Sequence, residues 1–288
     1  MTVPEAATLT QALAQAERAG LTRLDAQLLL LHTLGRPHER AWLVAHDRDP
    51  LAPAVATDFA ALCKRRLDGE PVAYLCGEKE FFGLRLRVDA RVLVPRPETE
   101  ILVEWALSLP LPAAARVIDL GTGSGAIALA LKQARPGWQL SAVDASAAAL
   151  EVARSNGQAL GLAVAWQAGD WLAQAQGPFD LIVSNPPYIA EADPHLAALR
   201  HEPRMALSSG PQGLDALSTL ITQAPAQLAP GGWLLLEHGY DQAAAVRELL
   251  RAAGLSEPQS RLDLAGIERC SGARRPAPLG PAGEIEQG

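Results

Sequence analysis

Short apolar runs alternate with segments of helical periodicity from residue 116 to about residue 253. The runs lie at Arg116–Leu120, Gln139–Val143, 163–168, 179–184 and Trp233–Glu237. The helical segments lie at Ala126–Ala134 and near 146–160, 214–228 and 241–253. Alternation of this kind predicts an α/β fold, in which a mostly parallel sheet is covered by helices on both faces.

Residues 1–76 have a different pattern and predict a small N-terminal helical domain. Leu9, Leu13 and Ala16 are spaced to share one apolar face, and no strand pattern interrupts this region. The apolar faces are expected to form a core, and the outer surface is a candidate for docking a substrate.

Residues 77–96 are predicted to form a linker hairpin between two domains. Phe81–Val88 alternates apolar and polar residues in its second half. Residues 89–91 are expected to turn the chain before a second strand at 92–94.

The second domain is predicted over residues 97–271. Pro95–Glu100 opens its first helix, since proline suits the first helical position and acids suit the amino-terminal dipole. Two short segments near 259–264 and 267–271 predict a terminal hairpin. Residues 272–288 are rich in Pro, Gly and Ala and predict a disordered tail.

Composition limits the classes of partner. The net charge of -7 and the pI near 5.4 give no general basic surface for nucleic acid. No signal peptide and no membrane-spanning run is evident, so we expect a cytoplasmic protein without a membrane partner. Cys63, Cys76 and Cys270 are scattered without a C-x-x-C, which predicts buried thiols and no metal site.

The tetrapeptide Asn185–Tyr188 follows the apolar run at 179–184. Two consecutive prolines cannot continue a central strand, so the chain must leave the sheet at its carboxyl edge, where ligands bind in α/β proteins. Asn185 Oδ1 and the Pro186 carbonyl can together accept both hydrogens of a planar NH2 group, and Tyr188 adds an aromatic face. The alternative for the tripeptide alone is a turn that Asn185 caps.

A glycine loop, Asp119–Gly125, lies between the first strand and its helix. Its glycines permit close approach of a ligand, and the helix start supplies free N–H groups. Asp144 ends the next strand, where an acid binds ribose hydroxyls. These features fit NAD as well as S-adenosylmethionine. Asp119 favours the latter, because a carboxylate attracts a positively charged amino acid group and repels a pyrophosphate.

Asp170 and Trp171 close the third strand. The acid can accept a hydrogen bond from an adenine amine, and the indole can cover the adenine ring. Burial of Trp171 in the core is an equally good interpretation of this tryptophan.

Further segments complete a family resemblance. They are Pro71–Leu75, Phe81–Gly83, Val94–Glu100, Asp193–Leu196, Glu202–Arg204 and Leu236–Gly239. With the glycine loop, Asp144 and Asn185–Tyr188, they resemble the release factor protein-(glutamine-N5) methyltransferases, the HemK or PrmC family. The resemblance extends to about residue 271 and implies a Rossmann-like class I methyltransferase sheet.

The family resemblance implies a reaction and a set of contacts. The reaction is methylation, by S-adenosyl-L-methionine, of the glutamine amide nitrogen N5 in the Gly-Gly-Gln motif of peptide chain release factors. The implied cofactor residues are Gly121, Thr122, Gly123, Ser124, Gly125, Asp144, Trp171 and Asn185, and the chemistry described above adds Asp119 and Asp170 to this set. The implied substrate residues are Asn185, Pro186, Pro187, Tyr188, Phe81 and Phe82, of which Asn185 and Pro186 are the catalytic pair.

Several alternatives share these motifs. An adenine-N6 methyltransferase has the same tetrapeptide but requires a basic groove, and a ribosomal-protein glutamine methyltransferase differs only in its acceptor. A methyltransferase-fold scaffold is the alternative without catalysis, although a scaffold does not need Gly121, Asp144 and Asn185. We expect a monomer that acts on release factors and does not bind nucleic acid directly.

Overall fold

The computed structural model describes residues 7–277 and divides into two compact units. One unit comprises the residues up to Glu78 with Val88–Ala90, and the other comprises Lys79–Arg87 and the residues from Arg91 onward. The domain boundaries at residues 76 and 96 stay predictions. Among residues 7–277, no helix combines the length and the apolarity needed to cross a bilayer.

The first unit is helical. Its helices are α1 Leu9–Arg18, α2 Arg23–Thr33, α3 Arg40–Ala45, α4 Pro53–Leu67 and α5 Val72–Cys76. Thr8 caps α1 in a capping box with Gln11, which satisfies two free N–H groups at the helix start. Leu29 and Leu31 on α2 are fully buried in the core of the unit. Leu24, by contrast, is 48% exposed and does not belong to this core.

The hairpin forms, but its turn comes earlier than predicted. Strand β1 spans Glu78–Phe81 and β2 spans Leu84–Arg87. Phe82 and Gly83 connect them with φ values of 49° and 77°, the left-handed backbone that a two-residue hairpin turn requires. The predicted second strand at 92–94 is wrong, because the Val94 N–H donates to a Glu202 carboxylate oxygen at 3.0 Å instead of to a strand.

The second unit is built on one seven-stranded sheet with the order β5-β4-β3-β6-β7-β9-β8. The strands are β3 Arg116–Leu120, β4 Gln139–Asp144, β5 Ala165–Ala168, β6 Phe179–Ser184, β7 Leu228–Glu237, β8 Ser256–Leu262 and β9 Glu268–Arg274. The helices are α6 Glu100–Ser108, α7 Ala126–Ala134, α8 Ala147–Leu160, α9 Asp215–Gln227 and α10 Ala243–Ala252. Strands β3 to β7 pair in parallel, which confirms the predicted fold class.

Alternate residues of the central strands enter two separate cores. Val117 and Leu181 pack on the side of α6 and α7, whereas Ile118 and Ile182 pack on the side of α9 and α10. This division follows from the two-residue period of a strand, and it places helices on both faces.

The strand order reverses between β3 and β6. Successive strands lead from β3 to β4 and β5 on one side, and from β6 to β7 on the other. Leu120 and Ser184 are register partners, so β3 and β6 end side by side. The loops that follow these two strands therefore open the crevice in which α/β sheets bind ligands.

The terminal hairpin is longer than predicted and belongs to the main sheet. Strand β9 pairs antiparallel with both β7 and β8. It continues to Arg274, so the tail predicted to begin at residue 272 is wrong for its first three positions. It pairs with Trp233 and Leu234 of β7 at this end, where Gly272 and Ala273 are buried. The rest of the predicted tail lies mostly outside the described residues.

Gly272 provides a test of this packing. A Cβ at this position would lie 2.7 Å from the Leu234 carbonyl oxygen and 2.9 Å from the Trp105 ring. We expect Gly272→Ala to lower the free energy of unfolding by about 3 kcal/mol, because a paired strand cannot move away from its neighbour. Gly266→Ala is the matched control in the same hairpin. It has a φ of 78° and open space, and should cost only about 1 kcal/mol. Urea titrations giving equal losses would contradict the packing argument.

Candidate active site

A pocket of about 760 Å³, including the space at its mouth, lies at the carboxyl ends of the parallel strands. We call it the larger pocket. The loops after β3, β4, β5 and β6 contribute Gly121, Gly123, Asp144, Asp170, Trp171, Asn185 and Pro187 to its wall. The sequence predicted all of these residues at the site, and the fold brings them together.

The glycine loop is held in a fixed position below this pocket. The N–H groups of Gly121 and Thr122 donate to the Val143 carbonyl at 2.8 and 3.1 Å. A Cβ on Gly121 would lie 3.3 Å from the Trp171 ring, so glycine leaves the indole room beside the loop. Thr122 and Ser124 line a narrow cleft between the larger pocket and Thr99.

Gly125 has a different role from the one predicted. It lies beneath the loop, where a Cβ would meet Trp166 at 3.0 Å and Leu129 at 3.1 Å. Close packing of α7 against its neighbours explains this glycine, and it does not line the larger pocket.

Asp119 does not reach the pocket either, and its predicted contact with a ligand is corrected. Its carboxyl is fully buried and accepts hydrogen bonds from the Thr122 hydroxyl at 2.6 Å and the Ala128 N–H at 3.2 Å. Burial raises the pKa of Asp119 to about 7, against the effect of these donors. The carboxyl therefore ties the glycine loop to the start of α7.

Asp144 lies in the pocket wall and also organises the loop. Its Oδ2 accepts from the Gly123 N–H and its Oδ1 from the Ser146 N–H, both at 2.8 Å. Burial raises the pKa of Asp144, and these N–H donors act in the opposite direction. Each oxygen keeps a second lone pair, which suits a carboxylate that binds two adjacent hydroxyls.

Asn185 lies between two pockets. The smaller pocket, of about 550 Å³, is lined by Leu93, Arg96, Asn185, Tyr188, Ile189, Leu199, Ala206 and Leu207. The Asn185 Nδ2 donates to the Thr99 hydroxyl oxygen at 3.0 Å. Among the hydrogen bonds of residues 7–277, Oδ1 accepts none, so the acceptor end of the amide remains available to a ligand.

Tyr188 is anchored by a buried acid. Its hydroxyl donates to Glu237 Oε1 at 3.1 Å, and Glu237 is only 2% exposed. Burial raises the pKa of Glu237 to about 7, while hydrogen bonding from the Thr99 and Tyr188 hydroxyls acts in the opposite direction. Pro186 is buried and is not among the residues that line the larger or the smaller pocket, so the role of its carbonyl as an acceptor stays a prediction.

Another buried acid, Glu202, fixes the wall of the smaller pocket. Its Oε1 lies 2.5 Å from Arg96 Nη2, and its Oε2 accepts from the Val94 N–H. The sequence singled out the segments that contain Thr99, Glu202 and Glu237 without assigning them roles, because their contacts join distant parts of the chain.

Phe81 and Phe82 are corrected as substrate residues. Phe81 is 1% exposed and belongs to the core on the side of α6 and α7. Phe82 packs against the same core, and its N–H donates to Glu100 Oε1 at 3.0 Å. Neither ring lines the larger or the smaller pocket, because the early turn at Phe82–Gly83 directs this hairpin into the core.

Two family models and a set of curated relatives match the chain. The methyltransferase small domain matches residues 97–253, and the PrmC N-terminal domain matches residues 7–77. A release factor glutamine methyltransferase of Bordetella pertussis is 55% identical over 88% of this chain and 95% of its own length. The chain belongs to the release factor glutamine methyltransferase family. A relative of the same name from Xylella fastidiosa is 51% identical over 92% of this chain and 98% of its own length.

A solved structure supports the fold. A methyltransferase from Pyrococcus furiosus aligns with a TM-score of 0.54 and 19% identity, over 74% of this chain and 97% of its own. At this identity the likeness shows the fold alone and nothing about substrate.

Family membership confirms that the chain is a methyltransferase with S-adenosylmethionine as its cofactor. The groups that line the larger pocket match the hydrogen-bonding groups and the adenine ring of S-adenosylmethionine. Asp144 offers acceptors for ribose hydroxyls, and Asp170 and Trp171 offer an acceptor and an aromatic face for adenine. The individual contacts stay predictions.

The buried state of Asp119 predicts a pH dependence of stability. The folded carboxyl, with a pKa of about 7, holds a proton that the unfolded chain releases near pH 4. The stability contributed by this proton is complete below pH 4 and is lost as pH rises to 7. Relative to Asp119→Asn, the wild type should lose about 2–3 kcal/mol between pH 5 and pH 8 in urea titrations without cofactor. The exposed control Asp58→Asn should give no such difference. Parallel curves for Asp119→Asn and wild type would show that the carboxyl is ionised in the folded state.

Asp144→Ala tests the ribose contact. We expect S-adenosylmethionine to bind about 1–3 kcal/mol more weakly, the scale of a lost charge-assisted hydrogen bond, in calorimetric titration. Asp58→Ala removes an exposed carboxylate that does not line the larger pocket, and this variant should bind normally. A product analogue without ribose hydroxyls should bind wild type and Asp144→Ala equally, which separates the direct contact from an effect on the loop. Unchanged affinity for S-adenosylmethionine would remove Asp144 from the site.

Proposed function

We propose that this chain methylates the side-chain amide nitrogen N5 of the glutamine in the Gly-Gly-Gln motif of peptide chain release factors. The observation that carries the proposal is the position of Asn185. Asn185 lines both the larger and the smaller pocket, and among the described residues its Oδ1 accepts no hydrogen bond. Relatives up to 55% identical over nearly their full length carry the name of this activity.

The reaction needs a nitrogen that is held in one orientation. When bound, S-adenosylmethionine supplies a methyl group on a sulfonium, an electrophile with a neutral leaving group. The difficulty lies with the glutamine nitrogen, whose lone pair is delocalised into the amide. Asn185 Oδ1 and the Pro186 carbonyl accept its two hydrogens, so the NH2 group cannot rotate away from the larger pocket.

The same two acceptors favour the transition state over the ground state. Positive charge develops on the nitrogen as it attacks, and both N–H bonds become stronger donors. Acceptors that are already oriented stabilise this charge without reorganising. The methylated nitrogen is then acidic enough to release its proton to water, so the proposal requires no dedicated base.

The surroundings of Asn185 support a peptide acceptor. Leu199, Ile189 and Leu207 give the smaller pocket an apolar wall, and its Arg96 is paired with the buried Glu202. A glutamine side chain on a peptide loop suits such a wall better than a phosphate-bearing nucleotide does.

The proposal also covers how the release factor docks, the oligomeric state of the enzyme and its location in the cell. The helical residues 7–77, which match the PrmC N-terminal domain, contribute to docking of the release factor. The enzyme acts as a monomer in the cytoplasm, where release factors function, and it does not bind nucleic acid directly.

Transfer of tritiated methyl to purified acceptors tests this function. Release factor should be labelled, and its Gln→Ala form in the Gly-Gly-Gln motif should not. The control enzyme Asn185→Ala should label release factor about 10²–10³ more slowly, the loss seen when one preorganised contact to developing charge is removed. Labelling of ribosomal protein or of DNA, with none on release factor, would overturn the proposal in favour of the corresponding methyltransferase.

A further inference from the structure

Thr99 and Glu237 form a buried chain behind Asn185. Thr99 is 4% exposed, ends the short 3-10 helix Pro97–Thr99 and leads directly into α6. Its hydroxyl oxygen is 3.0 Å from Asn185 Nδ2. The hydroxyl also interacts with the Glu237 carboxyl, which accepts from Tyr188 through Oε1. Two residues of the Asn185–Tyr188 segment are therefore attached to the same acid, one directly and one through Thr99.

The unsatisfied oxygen of Glu237 sets the direction of the Thr99 hydroxyl. Among residues 7–277, Glu237 Oε2 is buried and has no partner at ordinary hydrogen-bond geometry. Above pH 7, where Glu237 is ionised, this buried carboxylate oxygen needs a donor, and the neighbouring donor is the Thr99 O–H. A hydroxyl has one hydrogen only, so once it points to Glu237 it faces Asn185 with a lone pair.

This direction decides which end of the Asn185 amide faces a ligand. A lone pair on Thr99 accepts from Nδ2 and repels Oδ1. The amide flipped by 180° would bring two oxygens together at Thr99, and would turn an NH2 group toward the NH2 group of a substrate. Both contacts are unfavourable, so Thr99 selects the rotamer in which Oδ1 is the acceptor.

We propose that Thr99, oriented by Glu237, is a positioning residue that fixes the Asn185 amide with its oxygen toward the acceptor nitrogen. The proposal rests on the proposed methyl transfer to a planar NH2 group. Thr99 does not touch the reacting atoms, and its whole effect on the rate passes through Asn185.

Single-turnover methyl transfer at saturating cofactor measures this effect. Thr99→Val keeps the shape and removes the hydroxyl, and should slow transfer about 10-fold, the scale of one hydrogen bond. Thr99→Ser restores the hydroxyl and should stay within about 2-fold of wild type. Cofactor affinity should change less than about 2-fold in both variants, since the larger pocket is intact.

A double-mutant cycle separates positioning from general damage. In the Asn185→Ala background, Thr99→Val should cause no further loss of rate, because the side chain that it orients is gone. A second 10-fold loss in that background would overturn the proposal and make Thr99 a packing residue. If Thr99→Val does not fold, Thr99→Ala enters the same cycle with the same expectations.

The orientation itself can be observed without catalysis. In ¹⁵N-labelled protein, the Asn185 side-chain NH2 signals, assigned by their loss in Asn185→Ala, should shift in Thr99→Val and stay in place in Thr99→Ser. Unshifted signals in Thr99→Val would mean that Thr99 does not hold the amide. If the wild-type enzyme labels no release factor, the proposed function is wrong. If Thr99→Val labels it at the wild-type rate, only the positioning role of Thr99 is wrong.

Discussion

The parallel pairing of β3 with β6 is the constraint on which the site depends. Leu120 and Ser184 are register partners, and the Ser184 hydroxyl donates to the Leu120 carbonyl at 2.6 Å. This buried bond joins the last residues of the two strands. The glycine loop therefore leaves the sheet beside Asn185, and a shift of one residue in this register would turn each side chain to the opposite face. The larger pocket exists because both strands end together.

Buried acids hold the loops around this edge. Asp119 fastens the glycine loop, and Glu202 fastens residues 94–96. Glu237 anchors Tyr188, and the Thr99 hydroxyl accepts from Asn185. Such groups are costly to bury, and each is placed where neighbouring donors offset part of the cost. The result is a rigid floor and wall on which the ligand-facing groups, Asp144 and Asn185, keep their orientation.

The sequence predicted the elements whose bounds depend on local pattern. It did not predict the features whose conformation or position is decided by tertiary contacts. Strand β3 and helix α7 were predicted to the residue, since apolar periodicity and the glycines mark both ends. The hairpin turn was missed because Phe82 is a poor candidate for positive φ, and the cost is offset by packing that sequence does not display. Asp119 was misplaced because a position at a strand end does not reveal which face its side chain takes. Thr99 was missed because its partner Asn185 lies 86 residues away.

The tetrapeptide after β6 cannot by itself distinguish glutamine from adenine, since both present a planar NH2 group to the same two acceptors. Discrimination has to come from what surrounds the rest of the acceptor. A nucleotide brings phosphates, which bind tightly only where cations are available. In the smaller pocket, Arg96 is held against the 3% exposed side chain of Glu202, and the other lining residues there include Leu199 and Leu207. The pair offsets the positive charge of Arg96, so a phosphate would meet a carboxylate beside the one arginine that lines the smaller pocket among residues 7–277. The acid that shapes the pocket thereby also disfavours nucleic acid, and this local reason for a peptide acceptor is stronger than the net charge of -7 of the whole chain.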